Sequence, residues 1–209
     1  MARAAVYIDG FNLYYGALKG TQYKWLDVEA LARRLAPTDQ LVAVRYFTAR
    51  VRPQPNDPQQ PQRQQAYLRA LDTLPLVTVH FGHYLSHPTR MPLANPSPRG
   101  ARTVEVIKTE EKGSDVNLAT YLLLDAFRDR CDKAVVVTND SDLREPIRVA
   151  ESELGVQVVI VNPHPPLRRS LALRASAMRQ LREPTIAACQ LPPALTDAQG
   201  RTIHKPPTW

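Results

Sequence analysis

The 209-residue chain has only two cysteines, Cys131 and Cys189. They are too few for a disulfide framework and too far apart for a zinc motif, so two buried thiols are expected. Long hydrophobic runs are also missing. The apolar stretches, such as Ala134 to Val137 and Val156 to Val161, fall far short of the roughly 18 residues a membrane span requires. No membrane partner is therefore expected. Met1-Ala-Arg-Ala-Ala-Val-Tyr-Ile reaches a carboxylate at Asp9 before a signal-like apolar stretch develops, and the expectation is a cytoplasmic protein. No Walker-type glycine loop is present, and no Gly-x-Gly-x-x-Gly follows the first strand, which argues against nucleoside triphosphate and dinucleotide chemistry. Nor does a serine or cysteine sit in a nucleophile elbow with a histidine partner.

Basic charge, by contrast, is in excess. Against 20 Asp and Glu stand 27 Lys and Arg, for a net charge of +7. Such a surface attracts polyanions without identifying one.

The length suits one domain with appendages. Strands are expected at Ala4 to Ile8, Leu41 to Ala49, Leu76 to Leu85, Ala134 to Thr138 and Val156 to Val161. Several are continuous β-branched runs of the kind buried on both faces of a parallel sheet. Between them, Asp27 can cap a helix over Val28 to Leu35, and Gln59 to Leu74 reads as a second. Ser114 can cap a third, with Val116, Ala119, Leu122, Leu123 and Ala126 on one face. Ser141 opens a fourth that Gly155 ends near Leu154. Alternating strands and helices predict a three-layer αβα sandwich with a mostly parallel central sheet, whose ligands bind at the carboxyl ends of strands. Ser86 to Arg102 is too rich in proline for a core element and reads as a basic loop or an extended hairpin arm. Residues 1–165 are taken as the main domain. Residues 166–209 are taken as a helix, an edge strand at Ile186 to Cys189, and a Pro-rich tail packing on that domain through Trp209.

Carboxylates gather where these elements meet. Asp9 ends the first strand, Asp140 and Asp142 follow another, and Asp115 lies in the first turn of a helix. Each alone has an ordinary explanation as a turn former, a cap or a partner of a helix dipole. If the sheet order makes the strand ends neighbours, the side chains converge. Clustered carboxylates must take up protons or bind a hard cation such as Mg²⁺ or Mn²⁺. Asn12 can position a water or a phosphate, and Gly10 lets backbone approach a ligand.

Three stretches together carry a resemblance: Val6-Tyr-Ile-Asp-Gly-Phe-Asn12, Glu111-Lys-Gly-Ser-Asp-Val-Asn-Leu-Ala119 and Val137-Thr-Asn-Asp-Ser-Asp-Leu143. In this order they resemble the NYN domain family of PIN-like nucleases, over roughly Ala4 to Pro163. The closing Ile203-His-Lys-Pro-Pro-Thr-Trp209 is similar to the tail of one bacterial branch. The resemblance implies a metal-dependent ribonuclease. Asp9 and Asp140 would bind the metal, Asp115 and Asp142 would complete its shell or hold its waters, and Asn12 would stand beside them. The products implied are a 5′-phosphate and a 3′-hydroxyl. Tyr121 and Asn139 depart from the pattern, standing where many relatives carry an acid and a glycine.

RNA is the expected partner. Lys112, Arg50, Arg52, Arg99 and Arg102 are the candidate phosphate contacts, within a basic set that includes Arg45, Arg63, Arg69 and Arg90. Tyr14, Tyr15, Tyr46 and Tyr84 are either core or platforms for exposed bases. His80 and His83 would project from one strand to opposite faces, which disfavours a shared ion. Arg168, Arg169, Arg174, Arg179 and Arg182 are read as one face of the late helix. Two alternatives stay open, a non-catalytic RNA-binding or regulatory module on the same fold and a small-molecule phosphohydrolase. Homo-oligomerisation is also open.

Overall fold

The computed structural model describes residues 1–96, 100–165 and 173–209. Strand β1 (Arg3–Asp9) is buried along all but its first residue, as befits a strand with helices on both faces. It lies inside a sheet ordered β3 (Val77–Phe81), β2 (Gln40–Thr48), β1, β6 (Lys133–Val137), β7 (Gln157–Asn162) and β8 (Ala177–Gln180). Every neighbouring pair is parallel.

The strand alternation divides the core in two. Val6, Ile8, Val135, Val137, Val159 and Val161 face one side, with Val28 and Leu31 of α2 (Val28–Leu35). Ala5, Tyr7, Val136 and Ile160 face the other, with Leu118 and Leu122 of α4 (Ser114–Phe127) and Ile147 of α5 (Arg144–Ser152). The molecule is therefore the expected three-layer α/β sandwich. Helix α2 keeps its predicted bounds, because Asp27 accepts from the Ala30 amide and Arg33 and Arg34 occupy the last turn. Cys131 and Cys189 are both buried free thiols, too far into separate cores to matter to each other.

Four expected elements differ. The single strand over Leu76 to Leu85 is broken at Gly82, where a Cβ would lie 2.2 Å from Glu111 Oε1 and 2.5 Å from the Lys112 carbonyl. Only glycine allows that approach. The chain therefore leaves the sheet and forms β4 (His83–Pro92), which pairs antiparallel with β5 (Thr103–Lys112) in a separate two-stranded ribbon. Of the two readings of Ser86 to Arg102, the hairpin arm is the one formed; Ser97, Pro98 and Arg99 lie outside the described residues.

Helix α4 buries Leu118, Leu122, Asp125 and Ala126, while Val116 is exposed; a buried aspartate replaces part of the apolar stripe read from sequence. Gly113 is its N-cap, and Ser114 is its first residue, with its hydroxyl donating to Glu111.

The late arginine-bearing helix is replaced by β8, which carries Arg179, and by α6 (Glu183–Ala187), whose N-cap is Arg182; Arg174 precedes β8, and Arg168 and Arg169 lie outside the described residues. Ala-Met-Arg-Gln has no β-branched residue, so its strand comes from pairing with the open edge of β7 rather than from propensity. The proposed edge strand at Ile186 to Cys189 is likewise not formed. Pro184 stands in the first turn of α6, where a missing N–H costs nothing.

The tail folds back. Trp209 packs edge-on against Trp25 and Tyr67, and Trp25 Nε1 donates to the Pro192 carbonyl at 2.7 Å. A small hairpin, β9 (Ala194–Thr196) with β10 (Thr202–His204), brings Ile203 into the first core. No helix among the described residues is long and apolar enough to cross a membrane.

Candidate active site

The strand order reverses between β1 and β6: the chain first builds outward from β1 through β2 and β3, and later returns to build from β1 in the other direction. A crevice forms at the carboxyl ends of strands at such a point. Ile8 pairs with Val137, so the next residues, Asp9 and Thr138, stand side by side there.

Asp9 is 3% exposed and caps α1 (Gly10–Leu13), which continues into a π-helical turn, Tyr14–Leu18. Its Oδ1 accepts from the Asn12 amide at 2.9 Å. Its Oδ2 accepts from Asn12 Nδ2 at 2.8 Å and from the Thr138 hydroxyl at 3.1 Å. Gly10 is needed next to it, because a Cβ would meet the Phe47 carbonyl at 2.6 Å. Asn12 also receives the Asn139 amide at 3.1 Å, and its Oδ1 lies 3.1 Å from His164 Nε2. This asparagine thus ties the ends of β1, β6 and β7 together. Asp140 caps the 3₁₀ turn Ser141–Leu143 that leads into α5, accepting from the Asp142 amide at 3.0 Å, so the helix expected from Ser141 starts as a 3₁₀ turn.

Asp9, Asn12, Glu111, Asp115 and Asp140 line one recess of about 280 Å³, walled by Phe11, Tyr15 and Tyr84. Of the five site candidates it gathers four. Asp142 is exposed and contributes no lining surface. Tyr121 packs between His80 and Phe47, with Arg45 over its ring, and lines no part of the recess.

Among the described residues, none of those lining the recess is a compensating cation. Burial raises the carboxyl of Asp9 above the usual range despite its three hydrogen bonds, and Asp140 adds to the rise. Asp115 is pushed up to about 7, first by burial and then by Asp9, Asp140, Glu111 and Asp142. Clustered carboxylates in this state suit a hard divalent cation in kind. Among the described residues, no three acidic, histidine or cysteine side chains already stand at single-ion spacing, and the Asp9 oxygens are engaged by Asn12 and Thr138.

Of the basic candidates, Arg52 is tied to the recess wall: it donates to the carbonyl of Tyr84 and the hydroxyl of Ser86, both at 3.3 Å. Lys112 follows Glu111 at the base of the ribbon and lies 3.6 Å from Glu110. Arg50 covers the ring of Phe81. Arg102 is not brought to the recess. It follows the loop at the far end of the ribbon, roughly 30 Å away at about 3.4 Å per residue over the ten paired positions. Arg99 lies outside the described residues. Arg45 is withdrawn from any surface role by a two-pronged pair with Asp125.

Glu111 and Thr138 are site residues that sequence reasoning missed. Both fall inside the quoted motifs, but Glu111 looks like part of a solvated charge run and Thr138 like the last residue of a strand. Only the ribbon and the β1–β6 pairing turn them inward.

Fold and site define an α/β three-layer protein with an uncompensated acidic recess at the switch point of a parallel sheet. The chain belongs to the NYN domain family, within the PIN-like nucleases; the model of that family matches residues 3–181 and so extends through β8. It is also 31% identical to 6-hydroxy-3-succinoylpyridine 3-monooxygenase HspA of Pseudomonas putida (strain DSM 28022 / S16), over 99% of this chain and 75% of that protein. A crystal structure of a protein of unknown function from Vibrio parahaemolyticus RIMD 2210633 superposes with a TM-score of 0.56 at 14% identity. It covers 87% of this chain and 94% of that one, and shows the shared fold.

Proposed function

We propose that this protein hydrolyses RNA phosphodiester bonds with the help of Mg²⁺ or Mn²⁺ at the acidic recess. The observation that carries the reading is that, among the described residues, none of those lining the recess formed by Asp9, Asp115, Asp140 and Glu111 is a cation, in a chain of net charge +7. Asp9, Asp115 and Asp140 would hold the metal, and the exposed Asp142 would act on the site through its charge alone. When bound, a divalent cation lowers the pKa of a coordinated water and neutralises charge on a phosphoryl oxygen. Asn12 fixes the direction of Asp9. Burial and its acidic neighbours raise the carboxyl of Asp115, a cost that a bound divalent cation would relieve. Arg52 and Lys112 flank the recess and would position the RNA backbone without reading its sequence. Water adds to phosphorus as the bond to O3′ breaks, giving a 5′-phosphate and a 3′-hydroxyl.

The test is cleavage of a pool of labelled RNAs with Mn²⁺, Mg²⁺ or chelator, run beside Asp140→Asn. Metal-dependent cutting that the variant loses supports the reading, and equal cutting by the variant rejects it. RNA binding without turnover under any metal would favour the non-catalytic module. A second reading, oxygenation of a small heteroaromatic compound, is favoured by the 31% identity with a protein named as a pyridine monooxygenase. Dioxygen uptake dependent on 6-hydroxy-3-succinoylpyridine and an added reductant, without RNA cleavage, would decide for it.

A further inference from the structure

Behind Phe11 and Tyr15, which wall the acidic recess, lies a second and larger cavity of about 360 Å³ that shares both of these side chains. It lies between the π-helical turn, the end of β2, α3 (Gln60–Leu71) and the C-terminal Trp209. Its apolar walls are rings: Tyr14, Tyr46, Tyr67 and Trp209. With both these rings and the polar side chains of Lys24, Asp57, Gln60, Arg63 and Gln64 in its walls, a cavity of this size suits a small planar ligand that also carries polar groups.

The polar groups narrow the ligand further. Gln60 lines the wall, and its Oε1, closed off from the open space, has no hydrogen-bond partner among the described residues; a turn of the side chain would bring this acceptor to a ligand N–H. Arg63 and Lys24 supply two positive charges against the single carboxylate of Asp57, which Arg63 already engages. The site therefore asks for a flat ring with an N–H donor, linked to an anionic group. A nucleotide has all three features, and the shared wall places the cavity one residue's width from the recess.

We propose that this cavity is a nucleotide subsite, taking one unpaired base of the RNA chain next to the phosphate held at the acidic recess. The inference rests on the ribonuclease reading for its substrate, but its own observations are the ring walls, Gln60 and the positive charge of Lys24 that remains once Arg63 is paired with Asp57. Base stacking on aromatic rings contributes enough for a single base to be measured.

The test uses the whole 209-residue chain with adenosine and uridine 5′-monophosphates as probes, read by tryptophan fluorescence, since Trp209 lines the cavity and Trp25 packs against Trp209. Pyridine-3-carboxylate serves as the non-nucleotide probe. Saturable quenching by a monophosphate is expected, weakened at least about fivefold by Tyr14→Leu or by Gln60→Leu, whichever folds as the wild type does. In RNA, one abasic position near the cut should raise KM in the wild type and have little effect in those variants. Quenching by monophosphate in a protein that cuts no RNA would uphold the subsite while the ribonuclease reading fails. Metal-dependent cutting with no monophosphate binding and unchanged KM in both variants would overturn the subsite and leave that reading intact. Binding of pyridine-3-carboxylate alone would overturn it as well.

Discussion

Asp9 and Asp125 are both almost fully buried, at 3% and 1% exposure, yet the protein treats their charges in opposite ways. Burial works against the charge of Asp125, but Arg45 grips both its oxygens at 2.6 and 2.8 Å, Tyr7 donates at 2.9 Å and Arg130 at 3.2 Å. Its pKa ends below the ordinary value. Asp9 receives only neutral donors, and its pKa ends above it. A carboxylate neutralised in place holds a fold together. One left without a cation, beside Asp115 and Asp140, stores electrostatic cost that an incoming cation relieves.

The strongest way to break this contrast is to exchange the roles of the two residues. Asp125→Ala leaves Arg45 buried without its partner and is expected to cost about 3 to 5 kcal/mol in urea unfolding. Asp9→Asn, which loses one accepting oxygen but no ion pair, should cost about 1 to 3 kcal/mol, less than Asp125→Ala, but lower RNA cleavage by roughly 100-fold or more. A large stability loss at Asp9 with activity kept would mean that it, too, is structural.

A smaller effect concerns pH. Because the folded carboxyl of Asp115 sits near 7, above its unfolded value of 3.8, the native state binds more protons between those limits. Its contribution to stability is complete below about pH 4 and is lost as pH rises through about 7. Calorimetry in chelator should show that loss, Asp115→Asn should flatten it, and added Mg²⁺ should stabilise more at pH 8 than at pH 5. The smallest effect is expected at Glu111, which accepts from the Ser114 amide and hydroxyl at the start of α4. Glu111→Ala should cost about 1 kcal/mol, as loss of a helix cap does, with a modest fall in cleavage.

Much of this was legible in the residues themselves. The continuous β-branched run before Asp9 and the one before Asp140 announce buried strands, and Asp27 marks the start of α2 to the residue. The acidic positions could be picked out because strand ends and helix starts are local features. Asp142, by contrast, has the same local pattern as Asp140 but points into solvent. Tyr121 stands on the same helix as Asp115, yet its ring belongs to a cluster with His80 and Phe47. Helical spacing alone does not say which neighbour a face will meet.

Residue order therefore determined the parallel α/β class, most element bounds and which carboxylates end strands, because these follow from periodicity, capping and turn chemistry over a few residues. Only the tertiary structure decided that β1 and β6 are neighbours, that Gly82 turns the chain out of the sheet, and that Ala177–Gln180 becomes a strand. It alone joined Arg45 to Asp125, turned Glu111 inward and closed a ring-lined cavity with the last residue of the chain. Each of these depends on pairing between segments far apart in sequence, where a local pattern permits several partners and packing selects one.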